Sequence, residues 1–204
     1  MDELRAGSES MVRACVVVLL WMAGTFAGHA AGDPASAGVL LIADFNTGEN
    51  KNKLGGDLTS WSSAPPEPEA KCAASIATAG GADGSGAWDI SYDISADGSF
   101  CGTAMDLKDL DASQFKTLGF RVKGDLSAPV DFIVELKSRK GQDLEIKRYV
   151  VRGVAGEWKS VQIPLADFHL TSLKALAEMT TVFDKQTTKV RKGDIQIDDI
   201  VLLP

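Results

Sequence analysis

The sequence predicts an all-β protein, an antiparallel β-sandwich, and three observations carry the prediction. Trp88, Ile90, Tyr92 and Ile94 alternate with Asp89, Ser91 and Asp93, and the same period of two returns in later segments, as strands with one buried face require. Glycine reaches 20 of 204 residues while aromatics make up only 7%, a balance suited to many turns. Only Thr171 to Met179, with Leu173, Leu176 and Ala177, has helical spacing, and it is short.

The elements follow in order. Val39 to Phe45 is an apolar run stopped by Asn46-Thr47-Gly48 and forms the first strand. Residues 46–71 are polar and rich in Gly, Pro and Ser, stiffest at Pro65-Pro66-Glu67-Pro68, and read as one long loop of the kind that often binds ligands. Cys72 to Thr78 is a second strand, closed by Gly80-Gly81-Ala82-Asp83-Gly84, and Trp88 to Ile94 a third. Leu118, Phe120 and Val122 alternate with Gly119, Arg121 and Lys123; Val130, Phe132, Val134 and Leu136 alternate with Asp131, Ile133, Glu135 and Lys137. Leu144, Ile146 and Val150 continue the pattern, as do Val161, Ile163 and Leu165. In the last strand the apolar phase passes from Ile195 and Ile197 to Ile200 and Leu202, which predicts a β-bulge at Asp198-Asp199. About nine or ten strands at this spacing make a sandwich.

The first thirty residues have a different character. Arg13 is a positive n-region, Val16 to Ala27 an apolar h-region, and Gly28-His29-Ala30 places small residues at a cleavage site, as in a secretory signal peptide. The alternative is a membrane anchor, for which the uncharged run from Ala14 to Ala27 is short. The reading is a leader at 1–30, with Met11 as its natural start because residues 1–10 are acidic, a linker at 31–38 and a sandwich domain at 39–204. After cleavage no membrane span remains, and the protein is expected to be secreted or periplasmic. Cys15 precedes the apolar run, so no lipoprotein signal is present.

Charge narrows the function classes. The net charge is −7, and the leader's Arg5, Arg13, Asp2, Glu3 and Glu9 leave the remainder acidic. Nucleic acid is disfavoured as a partner, since phosphate contacts need clustered Lys and Arg. Beyond the leader two cysteines remain, Cys72 and Cys101; an even pair in an exported chain reads as a disulfide, with a pair of buried free thiols as the alternative. A metal site on them has only His169 to draw on.

Several segments then resemble a known group. Leu41-Ile-Ala-Asp-Phe-Asn and Asn52-Lys-Leu-Gly-Gly-Asp come first, followed by Ala87-Trp-Asp-Ile-Ser-Tyr-Asp and Phe115-Lys-Thr-Leu-Gly-Phe-Arg-Val-Lys-Gly-Asp. Trp158-Lys-Ser-Val-Gln-Ile-Pro-Leu-Ala-Asp-Phe and Gly193-Asp-Ile-Gln-Ile-Asp-Asp-Ile close the series. In this order they resemble the galactose-binding-like jelly rolls, in the group joining family 11 carbohydrate-binding modules with the complex I intermediate-associated protein 30 domain. The resemblance spans about residues 40–204. It implies a glycan-binding module, or a protein-interaction and assembly module whose partner would be another envelope protein.

Two constellations carry chemistry. The resemblance implies a structural calcium ion tying the terminal strands, with Asp44, Asn46 and Asp198 as candidate ligands; calcium takes about six to eight oxygens. The alternative is ordinary turn chemistry, since Asp and Asn are favoured where strands end. Asp106, Asp109 and Asp111 read as a solvated turn. For a sugar, flat rings must stack on C–H faces beside groups that bond hydroxyls. Trp61 in the long loop, Tyr149 out of phase with Leu144 and Ile146, and Asp131 and Glu135 on the polar phase of their strand are the candidate ligand-binding residues. Trp158, Trp88 and Tyr92 read as structural.

Catalysis finds no purchase. No Gly-x-Ser-x-Gly elbow or phosphate loop is present, and a triad would depend on His169 alone. The expected activity is non-catalytic binding of a polysaccharide or oligosaccharide, at roughly tens of micromolar to millimolar affinity.

Overall fold

A computed structural model describes residues 38–124 and 128–204. The leader at 1–30 and the linker up to residue 37 lie outside the described residues.

The described chain forms eleven strands: β1 Leu40–Ala43, β2 Leu58–Ser62, β3 Lys71–Ala77, β4 Ala87–Asp93, β5 Phe100–Leu110 and β6 Thr117–Gly124, then β7 Val130–Lys140, β8 Asp143–Val154, β9 Lys159–Pro164, β10 Leu176–Asp184 and β11 Lys192–Leu203. They pair antiparallel in two sheets. One runs β3-β4-β11-β6-β9 with β1 added on β11, and the other runs β2-β5-β10-β7-β8. The expected antiparallel sandwich is therefore present.

The core lies between the inner faces of the sheets. Alternation delivers Trp88, Ile90 and Tyr92 from β4 and Phe132, Val134 and Leu136 from β7 into one buried cluster. Tyr92 and Phe183 stack across it, their centroids 4.1 Å apart and their planes 7° from parallel. A single 3₁₀ turn, Leu165–Phe168, drops Leu165 and Phe168 onto the same core.

β11 is the seam of its sheet. Its first half pairs β4 and its second half pairs β1, while β6 runs along its other side. The register slips between Asp198 and Val201, with Asp199 at φ 50°, so the bulge expected at Asp198-Asp199 is present.

Four readings need correction. Residues 46–71 are not one loop, because β2 lies within them. The predicted helix at Thr171 to Met179 is instead the approach to β10, whose Leu176 and Met179 reach the core from a strand. β5 went unpredicted: its first half, Cys101 to Met105, is buried on both faces, so no apolar-polar alternation marks it. The strand holding Leu144, Ile146 and Val150 exists as β8, but its faces are reversed. Leu144 and Ile146 are 46% and 48% exposed, whereas Val151 is in the core and Tyr149 packs against it. The register decides this: Lys137 is opposite Ile146 and Val134 is opposite Tyr149.

Candidate functional site

The outer face of the five-stranded sheet is built in rows, because residues in register on neighbouring antiparallel strands stand side by side on one face. One row crosses all five strands as Trp61, Gly102, Val182, Ile133 and Val150. Beside it runs Thr59, Ala104, Thr180, Glu135 and Arg148. A third holds Asp106, Glu178, Lys137 and Ile146. An apolar stripe thus lies against two polar ones.

These rows line a cleft of about 760 Å³, with Trp61 and Phe100 at one side and Glu135, Arg148, Lys137 and Glu178 across the floor. Trp61 and Phe100 meet edge to face, centroids 6.0 Å apart at 63°. The floor between the rings and the charges is low because Gly102 and Ala104 are small. Arg148 Nε donates to Glu135 Oε1 at 2.8 Å, Lys137 Nζ donates to Glu178 Oε1, and Thr180 Oγ1 donates to the same oxygen at 2.9 Å. Glu135 and Glu178 are thus each held by a cation in a fixed direction, while Asp184, also in the lining, accepts the Thr187 N–H at 2.7 Å. The Glu135 residue is only 5% exposed, so its pair with Arg148 is rooted beneath the surface.

The expected binding residues divide. Trp61 and Glu135 come together in the cleft. Asp131 shares the face but stands at the strand end, where Oδ1 accepts the Gly153 N–H at 2.8 Å and Oδ2 meets Arg152 Nη1 at 3.3 Å. Tyr149 is on the opposite side of β8, its ring 6.0 Å from that of Phe168. Reversal of the β8 phase turns it inward and turns Arg148 outward. Phe100, Arg148 and Glu178 were missed, the first and last because β5 and β10 were not read as strands.

Flat rings beside directed hydrogen-bonding groups on a sheet face suit a sugar. A family model described as carbohydrate binding domain (family 11) matches residues 29–189. The chain belongs to family 11 of the carbohydrate-binding domains. Among solved structures, this family 11 domain is similar to the family 11 module from Clostridium thermocellum in complex with a β-1,3-1,4-mixed-linked tetrasaccharide. The TM-score is 0.63 at 20% identity, covering 83% of this chain and 97% of that one. It is also similar to the family 11 module of a cellulosomal cellulase of the same organism, with TM-score 0.62, 20% identity, and coverage of 83% and 96%. An exo-β-agarase matches at TM-score 0.60 and 14% identity, over 81% of this chain and 25% of that one. No curated protein matches the chain.

The expected calcium ligands of this family 11 domain are engaged in two places, Asn46 and Asp198 on the 81–86 loop and Asp44 on Lys53. Asp198 is fully buried; its Oδ2 accepts the Ala82 N–H at 2.9 Å and its Oδ1 accepts the Asp199 N–H at 2.7 Å. Asn46 Oδ1 accepts the Gly86 N–H at 2.9 Å, and Asp44 pairs with Lys53 at 2.9 Å. Burial raises the Asp198 carboxyl above its usual range, and burial with the Asp198 charge does the same to Asp199. The donor oxygens are engaged by the chain's own hydrogens, and no group of three or more His, Cys, Asp or Glu among the described residues is placed to hold a metal. As arranged, Asn46 and Asp198 hold the 81–86 loop to the two terminal strands, while Asp44 pairs with Lys53.

Cys72 on β3 and Cys101 on β5 are free thiols here, so the expected disulfide is not formed in this structure. They contact each other between the two sheets, and that hydrogen bond together with burial pushes the Cys72 thiol up. The Cys72 N–H donates to Ser62 Oγ at 2.8 Å, tying the pair to the strand that carries Trp61.

Proposed function

We propose that this family 11 domain is an exported, non-catalytic module that holds a polysaccharide or oligosaccharide in the cleft of the five-stranded sheet. The observation that carries the reading is the adjacency of rows. Trp61 and Phe100 offer ring surface at one side, and the Glu135–Arg148 and Lys137–Glu178 pairs offer aimed donors and acceptors beside it.

Opposite charges alternate on the floor, which favours a neutral glycan over a polyanion. Glu135 and Glu178 are committed to cations and Asp184 to the Thr187 N–H, an arrangement for holding hydroxyls and not for passing protons to a scissile bond. The contact area is a ring or two and a few hydroxyls, so affinity of roughly tens of micromolar to millimolar follows. Export is supported by the charge and apolar pattern of residues 11–30.

The test is retention on insoluble polysaccharides and a glycan array, with Trp61→Ala beside the unaltered chain. Retention that falls at least tenfold in the variant is expected. A chain that binds no glycan overturns the reading and leaves the assembly module as the better account.

A further inference from the structure

The six-stranded sheet repeats the design of the cleft on the opposite side of the sandwich. Ser75 is in register with Asp89, Asp89 with Gln196, and Gln196 with Lys123. The pairing of Val122 with Lys159 brings Trp158 beside Lys123, whose Nζ is 5.4 Å from the centre of the indole. A transverse row of hydrogen-bonding side chains therefore ends beside a half-buried tryptophan at the sheet edge, as the polar rows of the other face lie beside Trp61.

The row borders a groove of about 420 Å³ whose lining includes Ser75, Asp89, Ser91, Lys123, Asp194 and Gln196. Small residues on β3 and β4, Ala73, Ser75 and Ser91, keep one side low. Gln196 Nε2 donates to Asp89 Oδ1 at 2.6 Å, which fixes the amide, yet Gln196 Oε1 is buried and has no hydrogen-bond partner. A buried acceptor without a donor is unusual. A ligand hydroxyl is a donor of the right kind, and the acids and cation along the row are mixed in sign, as they are in the first cleft.

We infer that this groove is a second carbohydrate-binding surface, with Trp158 as its ring and the Asp89–Gln196 pair as its hydrogen-bonding centre. The inference rests on the glycan-binding reading of the domain. Two surfaces on opposite sheets let one chain hold two glycan chains at once, so the domain would cross-link a polymer and not only dock to it.

The experiment is a titration of the full chain with a β-1,3-1,4-mixed-linked tetrasaccharide, following the tryptophan indole N–H resonances by NMR. Trp21→Phe, Trp61→Ala and Trp158→Ala assign the signals, and the remaining, buried Trp88 indole reports that each variant is folded. Both the Trp61 and Trp158 signals are expected to move, and the Trp158 shift is expected to persist in Trp61→Ala. Trp158→Ala should halve the ligand bound per chain at saturation. A Trp61 signal that moves while Trp158 stays fixed overturns the second surface and leaves the first standing. Loss of the Trp158 shift in Trp61→Ala overturns it as well, and no movement of either signal overturns both readings.

Discussion

The indole of Trp61 occupies the space above Gly102 on the neighbouring strand. A Cβ at Gly102 would fall 2.8 Å from Trp61 Cζ2 and 2.2 Å from the Thr181 carbonyl oxygen. The glycine lets the ring lie flat against the sheet and lets β10 approach β5. Gly102→Ala is expected to cost about 1–3 kcal/mol by overpacking and to lift Trp61 out of the cleft, so stability and glycan retention fall together. Trp61→Ala removes only an edge-to-face contact worth about 0.5–1.5 kcal/mol; urea unfolding should show a nearly intact domain that has lost retention. Equal stability losses in the two variants would contradict the account.

The Glu135–Arg148 pair is anchored at the carboxylate and exposed at the guanidinium, with side-chain exposures of 7% and 62%. Arg148→Ala leaves a buried carboxylate without its cation and should destabilise the domain by about 1–2 kcal/mol after allowance for solvent screening. Adding Glu135→Gln should recover part of that loss, which a double-mutant cycle in denaturant measures. Both variants are expected to bind glycan less well than the parent.

Glu145 holds the segment between β9 and β10 against the edge of its sheet, accepting from Thr171 Oγ1 at 2.6 Å and from the Thr171 N–H at 2.9 Å. Those bonds lower its pKa from the ordinary 4.5. A lowered carboxylate contributes stability that is fully present above its unfolded value and lost as pH falls through the folded one. Melting temperature should therefore drop more steeply below about pH 4.5 in the parent than in Glu145→Gln. Parallel curves for the two would count against this anchor.

Oxidised glutathione is expected to join Cys72 to Cys101, taking two electrons and two protons from the thiols. The closed loop should add about 3–4 kcal/mol by the chain-entropy account. Intact mass should fall by about two hydrogens, and the melting point should rise and return with dithiothreitol. Oxidation without a link between these two residues, as mapped by peptide mass, would defeat the prediction.

With Asp44, Asn46 and Asp198 spent on their own loop and Lys53, the melting temperature should be the same in calcium and in chelator. An ion that binds the folded state alone must raise it, so a rise in calcium reversed by chelation would show that these residues open to admit one.

The sandwich was legible because one-sided strands such as β4 and β9 write their burial as alternation. The two strands at the middle of the cleft sheet, β5 and β10, were not. Their outer positions, Gly102, Ala104, Thr180 and Val182, are small or apolar, and the period of two disappears. On β8 the exposed phase carries Leu144 and Ile146, so the apolar residues pointed to the wrong side and Tyr149 was put in the site instead of Arg148. Trp61 and Glu135 could be chosen from sequence; the rows that join them exist only through register across five strands.

β11 has a kinetic consequence as well. Leu40 is registered against Leu202, so the first strand of the domain has no edge to join until the last has been made and placed. Contacts so distant along the chain are slow to form. A chain made only as far as β10 would hold β4, β6 and β1 without their common neighbour, and the six-stranded sheet would assemble only once β11 has been made. The six-stranded sheet thereby stays open until its central strand arrives.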